Sequence, residues 1–314
     1  MKNNSRFGIY YPGFTRKAIT FSIDDGDIPN DIKFLDIVRP AGILGTFNIS
    51  SPVKVSPEEY REIYQGYEIA NHCANHPLLF VEGREYVVAD EPFNRETARE
   101  YTEDDPVIYK SSVENVYRIV KGYARNITDR ETYLRLVYEN REALEEVFGK
   151  GSVKGFVWPY GERKDEWLYR KISESGHSYM RCSRSALPSH DYFDIPEDKT
   201  HWSYNASHND LLEMMEKYDN LSDDGRLKMF SIGVHARDYE RNGKWGDLEE
   251  FAKKYGNRPN DYFYATNAGI IEYEAATKSL VITDGNIENT SDIDVYMTID
   301  GERAVVKAKS SVKY

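Results

Sequence analysis

Cysteine is scarce in this chain. Cys73 and Cys182 are the two in 314 residues. They could close one bridge, but they cannot form a disulfide framework, so the fold must rest on its core. Long apolar runs are also missing. No stretch approaches the length that crosses a bilayer. Met1–Tyr10 is polar and basic, with no apolar run ahead of a small-residue cleavage site, so a cytoplasmic protein with no membrane partner is expected. An excess of positive charge is lacking too. The 41 basic and 53 acidic residues leave a formal net charge of −12. Such a chain is poorly suited to gripping a phosphate backbone, which argues against a nucleic-acid partner, and it has no strong attraction to an anionic membrane. Neither repeats nor low-complexity tracts are found.

What the chain does contain is the material of a folded domain. Its hydrophobic and charged fractions, 40% and 30%, are those of a globular protein, and its length suffices for one large domain or two small ones. Twenty-five Tyr, 13 Phe and 4 Trp could stack on sugar faces, although most such rings serve as core or ordinary surface.

From about residue 18 to 276, strand-like and helix-like segments alternate. Residues 18–23 are β-rich and end in Asp24-Asp25-Gly26. A short helix is expected from about Asp31 to Val38, and a strand over residues 44–49. Ser56-Pro57-Glu58-Glu59 reads as a capped helix start, with Gly66 as its stop. Residues 67–70 then lead into His72. A helix from about 128 to 148 precedes the short strand 155–158, which ends in Pro159-Tyr160-Gly161. A helix over about 164–174, a strand at 177–180 and a strand from Leu227 to Val234 follow, the last ending at His235. A helix near 246–255 and a strand at 261–264 complete the series. Alternation of this kind predicts an α/β architecture built on a largely parallel sheet or barrel.

Two regions break the rhythm. Residues 80–127 are charged and Tyr-rich, with a helical stretch near Ser111 to Lys121, and read as an insertion, long for a connection, in the role of a lid. Residues 278–314 switch to short alternating runs separated by Asp284-Gly285 and Asp300-Gly301, a hairpin signal. The expected division is therefore a main domain over 1–277 and a small antiparallel β appendage over 278–314.

His72-Cys73-Ala74-Asn75-His76 carries two imidazoles four residues apart. On one helical turn that spacing would point both at a single divalent cation. Surface His pairs are common, and no Glu follows His72, so the zincin pattern is absent. Asp24-Asp25 could be a polar turn bent by Gly26. Alternatively, one carboxylate completes a two-His metal site and the other serves as a base. His235 alone could be structural. Yet Asp24-Asp25, His72, Pro159-Tyr160 and His235 all follow strands, and the carboxyl ends of barrel strands share the face where active sites form.

Together these motifs resemble the polysaccharide deacetylases of the NodB-homology type, carbohydrate esterase family four, over roughly residues 17–276. The family's T-F-D-D-G is similar to Thr20 to Gly26, and its H-(S/T)-x-x-H-P to His72 to Pro77. R-x-P-Y-G is similar to Val157 to Gly161, and the L-x-H strand end to Ile232 to His235. Gly45 to Asn48 matches the second strand. The resemblance implies a distorted (β/α)7 barrel and one divalent ion, Zn²⁺ first, with Co²⁺, Ni²⁺ or Mn²⁺ as alternatives. It implies Asp25, His72 and His76 as metal ligands, Asp24 as catalytic base and His235 as the acid. The backbone N–H of Tyr160 is implied as an oxyanion donor. The implied reaction removes N- or O-acetyl groups from a carbohydrate. An amidase of the same fold acting on a small non-sugar amide, and a sugar-binding protein with a lapsed site, are the alternatives.

The chain departs from the family in several places. Val157 stands where the family often has an Arg that braces the catalytic Asp. Arg237 is a candidate brace from another direction. With Trp158, Pro159 and Tyr160, it is also a candidate substrate contact. Asp27 replaces a common Pro. Cys73 replaces a Ser or Thr and is expected to pack beside the ligands rather than join them. For the fourth motif, Asp198 and Trp202 are the weak candidates.

Overall fold

Seven parallel strands curl into a barrel in the computed structural model, which describes residues 6–51, 55–79, 86–88, 107–110, 117–120, 127–161, 165–184, 200–205 and 210–314. They are β1 (Lys17–Asp24), β2 (Gly45–Ile49), β3 (Glu68–Asn71), β4 (Gly155–Val157), β5 (Tyr179–Arg184), β6 (Thr200–Asn205) and β7 (Lys228–Val234). The strands neighbour one another in sequence order, and β7 pairs back onto β1 from Lys228↔Lys17 to Val234↔Ile23. The barrel is uneven. A short eighth strand, Phe263–Tyr264, lies on the start of β1 at Ala18 and Ile19, and β2 takes over that edge from Phe21 onward. All seven strands run the same way, so the residues after β1, β3, β4 and β7 gather at one mouth. This is the distorted (β/α)7 architecture.

The strand sequences explain how the barrel packs. In β1, Ile19, Phe21 and Ile23 join the apolar layer beneath the helices, together with Phe34, Phe47, Tyr64, Phe230 and Phe251. The alternate residues Thr20, Ser22 and Asp24 are also buried, on the opposite face. The polar interior is linked by hydrogen bonds. Asn48 and Asn267 both donate to Ser22 Oγ, at 2.8 and 3.3 Å. Thr46 and Tyr179 donate to the half-buried Glu68 carboxylate, each at 2.8 Å.

Among the described residues there are eight α-helices, in chain order α1 (Ile28–Val38), α2 (Pro57–Ile63), α3 (Arg130–Phe148), α4 (Glu166–Glu174), α5 (Leu211–Asp219), α6 (Ala236–Arg241), α7 (Trp245–Tyr255) and α8 (Asn267–Lys278). Ser56 caps α2 through the Glu59 N–H at 3.2 Å, and Asp129 caps α3 through the Thr132 N–H at 2.7 Å. Helix α1 begins earlier than expected because Pro29 suits its first turn. Asp31 is thereby placed inside the helix, where it accepts from Tyr64 Oη at 2.7 Å.

The insertion differs from the sequence expectation. Residues 86–88, 107–110 and 117–120 form a three-stranded antiparallel sheet, with Lys110 paired to Tyr117. The helix expected near 111–121 is therefore a strand over 117–120. Val107-Ile108-Tyr109 and Tyr117-Arg118-Ile119-Val120 are rich in β-branched and aromatic residues, which favour pleated structure. Most of the remaining expected lid lies outside the described residues.

Beyond α8, the strands 280–283, 286–289, 295–299, 302–306 and 310–313 form two antiparallel sheets around Ile287, Met297 and Val306. The N-terminal strand Phe7–Tyr10 completes one of them by pairing with Val295–Ile299. Hairpins turn at Asp284-Gly285 and Asp300-Gly301. Asp300 and Gly301 both have positive φ, 51° and 89°, as a two-residue turn of the twist-matched kind requires. Among the described residues, no helix is long and apolar enough to cross a membrane.

Candidate metal and catalytic centre

The chain leaves β1 through a bend that sets two carboxylates apart. Asp24 ends the strand with its side chain in the barrel interior. Asp25 has φ 82°, a left-handed conformation that costs energy for a residue with a Cβ. Its N–H is held by the Asn48 carbonyl at 2.9 Å. The bend turns the Asp25 carboxylate toward the histidines.

His72 and His76 meet there by a different route from the expected helical turn. Strand β3 stops at Asn71, and no helix follows. Instead Cys73, Asn75 and His76 take positive φ values of 59°, 61° and 46°, coiling the five residues into a tight turn. Side chains hold it in place. Asn71 Oδ1 accepts from the Cys73 N–H at 2.9 Å, and Asn71 Nδ2 donates to the Val137 carbonyl at 2.8 Å. Asn140, on α3, donates to Asn71 Oδ1 at 2.8 Å and to the Ile49 carbonyl at 2.7 Å. These two asparagines carried no motif in the sequence.

The turn brings one ligand atom each from Asp25, His72 and His76 within 4.8 Å of one another. Asp25 Oδ1 is 3.5 Å from His72 Nε2 and 3.7 Å from His76 Nε2. Ligands about 2.0–2.1 Å from one tetrahedral ion stand about 3.3 Å apart. His72 Nδ1 lies 2.9 Å from the Val157 carbonyl, an acceptor only, so Nδ1 carries the proton and Nε2 keeps its lone pair. Burial, followed by the nearby His72 imidazole, pushes His76 down to about 4, which leaves it neutral at pH 7. Burial raises the Asp25 carboxyl, but the imidazoles of His72, His235 and His76 outweigh this and hold it well below its ordinary value. Asp25 Oδ1 is buried without a hydrogen-bond donor. An anionic oxygen, two imidazole lone pairs and this spacing fit a divalent cation.

Asp24 has different neighbours. Its Oδ1 accepts from Asn48 Nδ2 at 2.7 Å and from Arg181 Nη2. Burial pushes this carboxyl up, yet Arg181, His72 and His235 hold it below its ordinary value. His235 follows β7 and stands at the start of α6. Its Nδ1 lies 3.1 Å from Asp238 Oδ2, one helical turn on, and its Nε2 is 3.8 Å from Asp25 Oδ2. Burial lowers the His235 pKa, but Asp238 and the two site aspartates reverse this and leave it raised. Asp238 was detectable in principle, as an acid three residues beyond a strand-end His.

Tyr160 has φ 60° and ψ 8° in the turn Pro159–Gly161. Its ring packs edge-on against His76, centroids 4.6 Å apart. Gly161, at φ +69°, lies close against Ser183, and an added Cβ would come 2.6 Å from Ser183 Cβ.

Two expected substrate contacts and one expected brace need correction. Trp158 is 1% exposed and packs on Phe156 and Tyr133, so it belongs to the core. Pro159 is buried as well. Arg237 braces Asp25, not Asp24, with Nη2 2.5 Å from Asp25 Oδ2. Neither cysteine is in a disulfide and both are buried, with Cys73 packed among Leu79, Tyr133 and Trp158. Asp198 lies outside the described residues, as does the side chain of Trp202, whose backbone runs in β6.

Comparison with known proteins agrees with this architecture. Among solved structures, a candidate polysaccharide deacetylase from Mycobacterium smegmatis is similar, with TM-score 0.54 and 17% identity, over 86% of this chain and 94% of that one. At that identity the likeness shows the fold. The peptidoglycan deacetylase of Bacillus subtilis (TM-score 0.41, 18% identity, 84% and 95% covered) is a more distant match. So is a family 4 carbohydrate esterase from Streptomyces lividans (0.41, 12%, 75% and 86%). Neither carries an argument about this chain. No curated protein sequence matches. Residues 12–179 match the sequence profile of the polysaccharide deacetylases, more than half of the chain and the stretch that holds Asp24, Asp25, His72, His76 and Tyr160. This protein belongs to the polysaccharide deacetylase family.

Proposed function

We propose that this protein is a metal-dependent hydrolase that removes N- or O-acetyl groups from an oligo- or polysaccharide. The observation that carries the reading is the convergence of Asp25, His72 and His76 beside a separately braced Asp24 and a His235 held by Asp238. Asp25, His72 and His76 would hold one divalent ion, Zn²⁺ first, which supplies Lewis-acid polarisation of a carbonyl and lowers the pKa of water.

The chain's own residues then divide the work. Asp24, ionised and anchored by Asn48 and Arg181, takes the proton from the attacking water. As the water oxygen bonds to the acetyl carbon, the N–H of Tyr160 donates to the oxyanion. His235, whose pKa its acidic neighbours raise against burial, gives its proton to the sugar nitrogen or oxygen as the bond to the acetyl carbon breaks. Acetate and the free amine or alcohol leave. Asp24 releases its proton and His235 regains one from solvent. The half-buried Tyr160 ring beside His76 offers an apolar face to a pyranose.

Acetate release from a panel of N- and O-acetylated oligosaccharides, with Zn²⁺ or Co²⁺ added, tests the reading. Asp24→Asn is expected to lower kcat by about 10³-fold while one equivalent of metal still binds. A wild-type protein with bound metal that releases no acetate from any member of the panel would overturn it.

A further inference from the structure

Arg181 is fully buried in the middle of β5, where a charge is costly unless it is paired. In the strand order β5 is not adjacent to β1, so its side chain reaches Asp24 through the interior, donating from Nη2 to Asp24 Oδ1 and from Nη1 to Ser183 Oγ at 2.5 Å. Its register partner on β4 is Val157. In-register neighbours of a parallel pair point to the same face, and adjacent strands lie about 4.8 Å apart. A guanidinium rooted at 181 therefore enters the interior beside the place where one rooted at 157 would enter. Val157 is fully buried and apolar and leaves that space free of charge.

The same strand supports the turn that carries Tyr160. The Arg181 carbonyl accepts from the Trp158 N–H at 3.1 Å, and Ser183 lies against Gly161. Strand β5 thus supports the Asp24 carboxylate and the Tyr160 N–H together.

We infer that Arg181 is the positioning residue of Asp24, and that in this chain the brace has moved one strand across the sheet, from position 157 to position 181. The inference rests on the role of Asp24 proposed above. Arg181 and Asn48 together hold Asp24 Oδ1.

The zinc-loaded wild type is compared with Arg181→Met, Arg181→Lys and the double variant Val157→Arg/Arg181→Val. Readouts are zinc stoichiometry, melting temperature, kcat and KM for acetate release, and a crystal structure of Arg181→Met. We expect Arg181→Met to bind one zinc and lose about 10²-fold in kcat, with KM changed by less than about threefold. Its Asp24 carboxylate should turn away from Asn48. The double variant should recover at least about tenfold of the lost kcat, more than Arg181→Lys, which cannot make the same planar contact. A kcat within about threefold of wild type in Arg181→Met, or an Asp24 that keeps its place in the crystal, overturns the inference. If Arg181→Met does not fold, the double variant decides. Turnover in a folded double variant supports the inference, and a folded, zinc-bound but inactive one overturns it. If the wild type itself releases no acetate, the proposed function fails separately. The position of Asp24 in the Arg181→Met crystal then decides the role of Arg181.

Discussion

Adjacent in sequence, Asp24 and Asp25 are made chemically distinct by their neighbours. Asp24 faces Arg181 and Asn48, whereas Asp25 faces three imidazoles and Arg237. The φ of 82° at Asp25 separates them, since an extended residue there would point its side chain elsewhere. Arg237 adds a test at this scale. Its guanidinium is 43% exposed and competes with any cation for the charge on Asp25. A half-exposed pair of this kind is worth about 1 kcal/mol, so Arg237→Met should tighten Zn²⁺ binding roughly fivefold. Competition against a chelating indicator measures this, and weaker binding would mean that Arg237 instead orients Asp25 for the metal.

At the scale of elements, the metal turn depends on helix α3. Asn140 reaches from that helix to the end of β2 and to Asn71, tying the turn at two points. Asn140→Ala would leave Asn71 Oδ1 with one donor fewer in a buried site, at a cost of about 2 kcal/mol in stability. Because the pair orients the segment bearing His72 and His76, Zn²⁺ affinity should also fall by about tenfold. Chemical denaturation and zinc titration read the two effects. A loss of stability with unchanged zinc affinity would show that the turn holds without α3. The His72–His76 spacing was legible in the sequence, but the helical explanation for it was not correct. Three residues of that turn, Cys73, Asn75 and His76, hold positive φ through contacts from elsewhere in the chain, and local propensity carries no trace of them. The helix read near 111–121 failed for a related reason. A short, charged and aromatic segment has no decisive period, and strand pairing settles it.

At the scale of the whole molecule, His177 links the core to pH. It is 7% exposed and arranged for the neutral ring. Nδ1 lies 2.8 Å from Ser175 Oγ, and Nε2 lies 3.4 Å from the donor Asn71 Nδ2. Burial, then the charge of Arg141, pushes its pKa down to about 4. The unfolded chain binds this proton with a pKa of about 6.5. The folded value is the lower one, so the unfolded state takes up the proton first as pH falls. The stability contribution is complete above about 6.5 and is lost as pH drops toward about 4, amounting to about 2 kcal/mol between pH 7 and 5. His177→Phe should shrink that loss by a similar amount in urea melts made in EDTA, which keeps the metal site out of the comparison. Identical pH slopes for variant and wild type would remove His177 as the cause.

The alternation of strands and helices, the strand-end placement of the reactive residues and the hairpins at Asp284-Gly285 and Asp300-Gly301 follow from local pattern, because period, turn chemistry and capping act over a few residues. Asp24, Asp25, His72, His76 and His235 were legible for the same reason, each standing where a strand ends. The brace on Asp24 was not. Arg181 reads locally as a stray charge inside a strand, and its partner is 157 residues away. Nor could the sequence tell that Trp158 faces the core or that Arg237 sits on Asp25, since both depend on how strands register and helices pack around them. Only the closed barrel decides which side chains reach across its interior, because that is a property of strands brought together and not of any one of them.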